Sequence, residues 1–269
     1  MKSDVKLGAK KISLAKLLPN IFTTVGLCSG LTGIRFALDG DWQNAVFCIL
    51  VAACFDMIDG LSARLLKAFT PFGAELDSLA DTISFGVSPA VITFLWIRDP
   101  LINSETKHLL EWYWIPFLFY AACNAFRLAR FNVMHLSNAD NNSRKNYFIG
   151  VPAPAAAGLV LMPIGFEFIL ARFGSNISIS SYPICVIFWV SIVSLLMVSN
   201  LATFSFRNVR FNVASNKALF VLLSVCLAVA IFMKETWIFL FSLGCFYFLS
   251  IPFSHIAKKK DNLNSFKNS

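Results

Sequence analysis

Residues 56–81 read DMIDGLSARLLKAFTPFGAELDSLAD and follow directly on an apolar run from Ala45 to Phe55. Asp56, Asp59, Glu75, Asp77 and Asp81 place five of the chain's fifteen carboxylates in this one window. On an α-helix, residues three apart are separated by about 60° and residues four apart by about 40°. Asp56 with Asp59, and Asp77 with Asp81, therefore each occupy one helix face. A short turn around Thr70-Pro71-Phe72-Gly73 would set the two helices antiparallel, so that both acidic faces converge on one cavity at a membrane interface. Glu75 falls off both spacings and is expected in the solvated turn.

The rest of the chain makes the membrane setting plain. Of 269 residues, 57% are hydrophobic, 14% are charged and 28 are phenylalanine, whereas soluble domains are about 25% charged. Apolar runs recur from Ile21 to Phe253 and leave no polar segment long enough for a soluble domain. The seven cysteines, Cys28, Cys48, Cys54, Cys123, Cys185, Cys226 and Cys245, lie singly, mostly in apolar runs, with no paired spacing. They read as small apolar residues.

A crossing helix needs about 20 mainly apolar residues. Eight spans are expected, near 20–38, 43–66, 78–97, 112–133, 152–171, 182–203, 217–233 and 236–254. The basic first sixteen residues precede an apolar run without a small-residue cleavage site, which is expected to be a retained first span rather than a signal peptide. With the N-terminus inside, eighteen of the 23 Lys and Arg residues fall on cytoplasmic segments, leaving Arg35, Arg98, Lys107, Arg172 and Lys234 outside or near it. This is a strong positive-inside bias. Both termini and the acidic window are therefore expected on the cytoplasmic side, and the net charge of +8 mostly expresses this bias. Nucleic-acid binding would need a basic folded face with stacking residues outside the membrane, and none is visible. Gly26 and Gly30 form a G-x-x-x-G step suited to close helix packing. Lys258-Lys259-Lys260 reads as a cytoplasmic anchor.

Four carboxylates in one cavity require positive compensation, and Arg64 alone is too little. Bound divalent cations are the natural answer, with all-oxygen ligation suiting Mg²⁺ or Mn²⁺. Zinc is disfavoured because His108, His135 and His255 lie far off in sequence. Hard divalent ions held by carboxylates typically neutralise phosphate. Gly60 and Ala63 keep one helix face free of bulk for a phosphorylated ligand. A cation pathway is the competing use of such acids, though it would place them nearer the bilayer midplane on broken helices.

Written out, the window is Asp56-x2-Asp59-Gly60-x2-Ala63-Arg64-x8-Gly73-x3-Asp77-x3-Asp81. This resembles the signature of the CDP-alcohol phosphatidyltransferase family, with every defining position filled. Pro19-Asn20-Ile21-Phe22-Thr23, Asn124-Ala125-Phe126-Arg127-Leu128-Ala129-Arg130-Phe131-Asn132, the stretch from Phe148 to Gly158, Met197-Val198-Ser199 and Thr203-Phe204-Ser205 are similar to its phosphatidylserine synthase branch. The resemblance covers roughly residues 19–206.

It implies an all-α integral membrane protein with a six-helix core inside the eight spans. A basic segment (1–18) would precede the catalytic core (19–206), with two further helices (207–256) and a basic tail (257–269) behind. It further implies transfer of the phosphatidyl group of CDP-diacylglycerol to an alcohol, L-serine in this branch, with release of CMP. Asp56, Asp59, Asp77 and Asp81 would ligate two metal ions, and Asp81 would also be the general base. Gly60, Ala63 and Arg64 would meet the nucleotide diphosphate, with Thr70 and Gly73 beside the same ligand. Arg127 or Arg130 would pair with the serine carboxylate, and Asn124 or Asn132 would orient its amine. Without a Cys, His or Ser suitably placed, direct transfer is expected rather than a covalent phosphatidyl-enzyme. A homodimer in a bacterial cytoplasmic membrane completes the expectation. Sister enzymes using glycerol 3-phosphate or inositol phosphate remain the neighbouring alternative, and a divalent-cation transporter the alternative from another class.

Overall fold

The computed structural model describes residues 14–102, 108–137, 147–175, 177–199, 201–204, 224, 232 and 234–267. Its helices are α1 (Leu14–Leu38), α2 (Trp42–Leu65), α3 (Pro71–Asp81), α4 (Ser88–Leu101), α5 (Leu110–Tyr113), α6 (Ile115–Ser137), α7 (Ala153–Arg172), α8 (Pro183–Val198) and α9 (Thr236–Lys267). A π-helical segment, Thr82–Val87, joins α3 to α4 without a break, and a 3-10 turn, Ile179–Ser181, precedes α8.

Among the described residues, four stretches are long and apolar enough to cross a membrane: Leu17–Leu38, Trp42–Leu65, Pro71–Leu101 and Ala153–Arg172. Pro183–Val198 and Thr236–Pro252 are apolar but shorter. A helix, α6, covers most of the expected span at 112–133 but is not one of these apolar stretches, whereas the span expected at 217–233 lies almost wholly outside the described residues. The last helix runs on to Lys267, past the expected span end at 254 and through the segment read as a tail.

Two sequence expectations are corrected. The turn after α2 ends at Thr70 instead of including Pro71 to Gly73. Thr70 is the N-cap of α3, its Oγ1 accepting the Gly73 N–H at 3.0 Å, and Pro71 at the first helical turn has no N–H to lose there. The reversal itself runs through Lys67, whose φ of 48° lies in the left-handed region. The sixth span also stops early, at Val198 instead of 203. Beyond it, β2 (Ala202–Phe204) pairs antiparallel with β1 (Tyr147–Ile149), so the chain is not purely helical. Gly150, at φ 76°, makes the bend after β1 and donates its N–H to the Leu201 carbonyl at 2.8 Å.

The π-helical segment has an identifiable cause. Pro89 carries no N–H and its ring crowds the carbonyl four residues earlier, which belongs to Phe85. The chain widens there, Ser88 donating back to the Ile83 carbonyl five residues before it. The Phe85 carbonyl accepts instead from the Tyr120 hydroxyl of α6, at 2.7 Å.

Glycines set how closely α1 approaches its neighbours. A Cβ at Gly26 would come within 3.3 Å of Phe55, one at Gly33 within 3.0 Å of the Ala45 carbonyl, and one at Gly30 within 2.8 Å of Ser84 Oγ. The G-x-x-x-G step is thus a packing device, with Gly26 against α2 and Gly30 against the π segment. Ile92, Ile97, Phe117, Tyr120, Leu159, Ile164, Val190 and Met197 are fully buried and form the centre between α4, α6, α7 and α8. Leu65, Phe69, Phe72, Phe126, Phe188 and Phe246 are exposed on the outside, the arrangement expected of a lipid-facing surface.

Candidate active site

Helices α2 and α3, both packed against α1, carry the acidic window. Asp56, Asp59 and Asp77 each offer a carboxylate oxygen, and the three oxygens lie within 4.8 Å of one another. Asp81 stands outside this trio but lines the same cleft and reaches Asp56 with its side chain. Thr23, Gly26, Ala52, Ala80, Ser84 and Phe85 form much of the rest of the cleft, which is narrow and opens to the outside. Among the described residues, no Cys or His lines it. Glu75 is exposed and does not line the cleft, but it lies within α3 and not in the turn where its spacing put it.

Among the described residues, no Lys or Arg comes within 4.0 Å of any of the four carboxylates; the ion pairs are Arg35 with Asp39 and Arg172 with Glu235. Two unit charges at such separations repel by about 3–4 kcal/mol at an effective dielectric constant of 20. Three clustered carboxylates without a paired cation are therefore a donor set that fits a hard divalent ion.

The trio is anchored from a helix that the sequence reading left without a role. Thr23 of α1 is buried and donates its hydroxyl to Asp59 Oδ2 at 2.6 Å, while Asp59 is only 5% exposed. A hydroxyl fixing one carboxylate oxygen leaves the other to face a ligand. Asn20, one turn earlier, sits where a Cβ on Gly73 would come within 2.8 Å of its Oδ1. The signal was present in Pro19-Asn20-Ile21-Phe22-Thr23, but a lone Thr at the start of an apolar run has no visible partner in one dimension.

The other expected residues separate into groups. Gly60 lies on the half-open side of α2, and a Cβ there would meet nothing within 4 Å, which leaves room for a ligand against the backbone. Ala63 is half-buried and Arg64 exposed one turn further on. Thr70 and Gly73 have structural duties, as cap of α3 and as the gap that admits Asn20.

The α6 residues divide likewise. Asn124 is fully buried over Gly86, where a Cβ would collide with its Nδ2, and neither of its amide atoms has a hydrogen-bond partner. Arg127 is 8% exposed, its Nε has no partner, and its charge acts on Asp81. Asn132 donates to Ser78 Oγ at 3.1 Å, tying α6 to α3. Arg130 instead donates to the Val198 carbonyl at 3.1 Å, which directs this contact to the end of α8.

Ser84 is a cleft residue to which the sequence reading gave no role. Its Oγ is buried, has no hydrogen-bond partner and belongs to a residue lining the cleft. The Ser84 hydroxyl, the Asn124 amide and the Arg127 Nε are thus buried polar groups whose hydrogen-bonding capacity is unspent.

Residues 16–196 match the family model described as CDP-alcohol phosphatidyltransferase. The chain is similar to the CDP-diacylglycerol–serine O-phosphatidyltransferase of Mycobacterium tuberculosis (strain ATCC 25618 / H37Rv), with 32% identity over 249 residues, 92% of this chain and 80% of the relative. It is similar to the protein of the same name from Helicobacter pylori (strain J99 / ATCC 700824), with 30% identity covering 73% of this chain and 75% of the relative. The archaetidylserine synthase of Methanothermobacter thermautotrophicus is 32% identical, with 71% of each chain covered.

Proposed function

The chain belongs to the CDP-alcohol phosphatidyltransferase family, and from that premise we propose that it transfers the phosphatidyl group of CDP-diacylglycerol to the hydroxyl of L-serine, giving phosphatidylserine and CMP. It is a membrane transferase of phospholipid biosynthesis. The observation that carries the reading is the convergence of Asp56, Asp59 and Asp77 with Asp81 in one cleft. The names borne by its relatives in bacteria and an archaeon favour serine over glycerol 3-phosphate or inositol phosphate.

Asp56, Asp59 and Asp77 would hold Mg²⁺ or Mn²⁺, with Asp81 at the edge of the same set. Bound there, such ions supply neutralisation of the diphosphate and of the departing CMP. Thr23 holds Asp59 in place for this duty. The open backbone at Gly60, with Ala63 and Arg64 behind it, receives the nucleotide diphosphate.

The acceptor enters from the α6 side. Arg127 pairs with the carboxylate of serine as only a guanidinium can, through two parallel N–H donors, and Asn124 orients its ammonium through the amide oxygen. A serine hydroxyl is a poor nucleophile near neutral pH and needs a positioned base. Asp81 accepts its proton as the oxygen forms a bond to the phosphorus that carries diacylglycerol, while the bond from that phosphorus to the CMP oxygen breaks. Transfer is direct. Ser84 serves the acceptor as a hydrogen-bonding neighbour and forms no bond to phosphorus, so CMP release requires serine to be present. The site opens to the cytoplasmic side, where serine and CMP are dissolved and the donor lies in the adjacent leaflet. This orientation is supported by the distribution of Lys and Arg.

A panel of acceptors tests the assignment. Purified protein with CDP-diacylglycerol and Mn²⁺ is expected to release CMP with serine, but not with glycerol 3-phosphate, inositol phosphate or buffer alone. CMP release with another acceptor and none with serine would overturn the assignment. A burst of CMP in the absence of any acceptor, abolished by Ser84→Ala, would replace direct transfer by a covalent route through Ser84.

A further inference from the structure

We propose that Tyr120 is a positioning residue for this transfer, acting through the Phe85 carbonyl to hold the π-helical segment between the proposed base and the acceptor pocket. The inference rests on the reading of function given above. Its physical origin is Pro89, which cannot donate to the carbonyl four residues before it. The Tyr120 hydroxyl supplies a donor at 2.7 Å from the neighbouring helix.

The position of this bond gives it consequences. The π segment begins directly after Asp81, contains Ser84 of the cleft, and includes Gly86, the seat of Asn124. Phe85 thus lies between Ser84 and Gly86, and a shift of its backbone moves both. Asp56 and Asp59, by contrast, belong to α2, and Asp59 is held independently by Thr23. Loss of the Tyr120 hydroxyl should therefore disturb the base and the acceptor pocket while leaving the nucleotide side in place.

The hydroxyl is not needed for packing. Tyr120 is fully buried in the apolar core with Phe85 and Phe117. A phenylalanine ring would fill the same volume, and a buried hydroxyl is tolerated in such a place only when bonded. Tyr120→Phe thus removes the bond and little else. The departure of the backbone from α-helical geometry at a functional site agrees with where π segments commonly occur.

Tyr120→Phe should lower kcat/KM for serine roughly tenfold while the Mn²⁺-dependent affinity for CDP changes less than about twofold. Amides of residues 82–90 should exchange hydrogen faster, with those of α2 unchanged. In a Pro89→Ala background, which restores an N–H four residues beyond Phe85, the same change should cost less than about threefold. Wild-type serine kinetics and exchange in Tyr120→Phe would overturn the proposal. So would equal losses of CDP affinity and turnover, or an equal loss in both backgrounds. Absence of serine-dependent CMP release by the wild-type protein would overturn the acceptor reading instead, while the exchange rates would still decide the role of Tyr120.

Discussion

At the scale of single residues, the four acids divide by position, and the proposed function gives the two groups different duties. Asp56, Asp59 and Asp77 cluster within 4.8 Å, whereas Asp81 stands at the margin beside Arg127. Asp81→Asn keeps shape and volume but cannot accept the serine proton. Turnover is expected to fall by a factor on the order of 10³, with CDP-diacylglycerol binding retained in equilibrium measurements; activity within a few-fold of wild type would remove Asp81 as base. Asp56→Asn and Asp59→Asn should instead weaken metal-dependent nucleotide binding. Thr23→Val tests the anchor of Asp59, because it removes the hydroxyl and preserves the branched shape. Metal affinity, read by calorimetry with Mn²⁺, is expected to fall by about 10-fold. An unchanged affinity would leave Thr23 as packing only.

At the scale of elements, the site depends on three helices meeting closely. Gly30 and Gly86 are the narrow points, since a Cβ on either would intrude on Ser84 or Asn124 respectively. At Gly30 the obstruction includes the Ser84 backbone, whereas at Gly86 it is the buried Asn124 side chain that would have to move. Gly86→Ala is expected to cost about 1–3 kcal/mol by overpacking and to raise KM for serine more than KM for CDP-diacylglycerol. Thermal unfolding in detergent together with steady-state kinetics separates the two effects. An equal rise in both KM values would show a general loosening. Thr70 belongs to the same scale, for it starts α3 and thereby fixes the angular position of Asp77 and Asp81.

At the scale of the whole molecule, the acidic window carried most of the information. Its period-three and period-four spacings placed the acids on two helix faces, and apolar run lengths located α2, α6 and α7 to within a few residues, while α1 starts six residues before its expected span. What could not be read was anything that depends on contact between distant helices. Thr23 bonds to a residue 36 positions away, Tyr120 to one 35 positions away and Asn132 to one 54 positions away. Local patterning has no term for such pairs. The π segment escaped notice for a related reason, since Pro89 signals a disturbed helix but not which neighbour will satisfy the freed carbonyl. The early end of α8 was hidden because Ala202–Phe204 is apolar enough to pass for span, and its strand pairing with Tyr147–Ile149 comes from the far side of α7.

On the proposed reading, the bundle presents Asp56, Asp59 and Asp77 for metal, with Asp81 at the edge of the same set to take a proton. Its most direct test is CMP release by the purified wild-type protein from CDP-diacylglycerol and L-serine, measured as Mn²⁺ or Mg²⁺ is titrated after chelation. The account predicts no release without the metal, saturable release as it is restored, and phosphatidylserine formed in a one-to-one ratio with CMP. Full serine-dependent release in the presence of excess chelator, or none at any metal concentration, would contradict it.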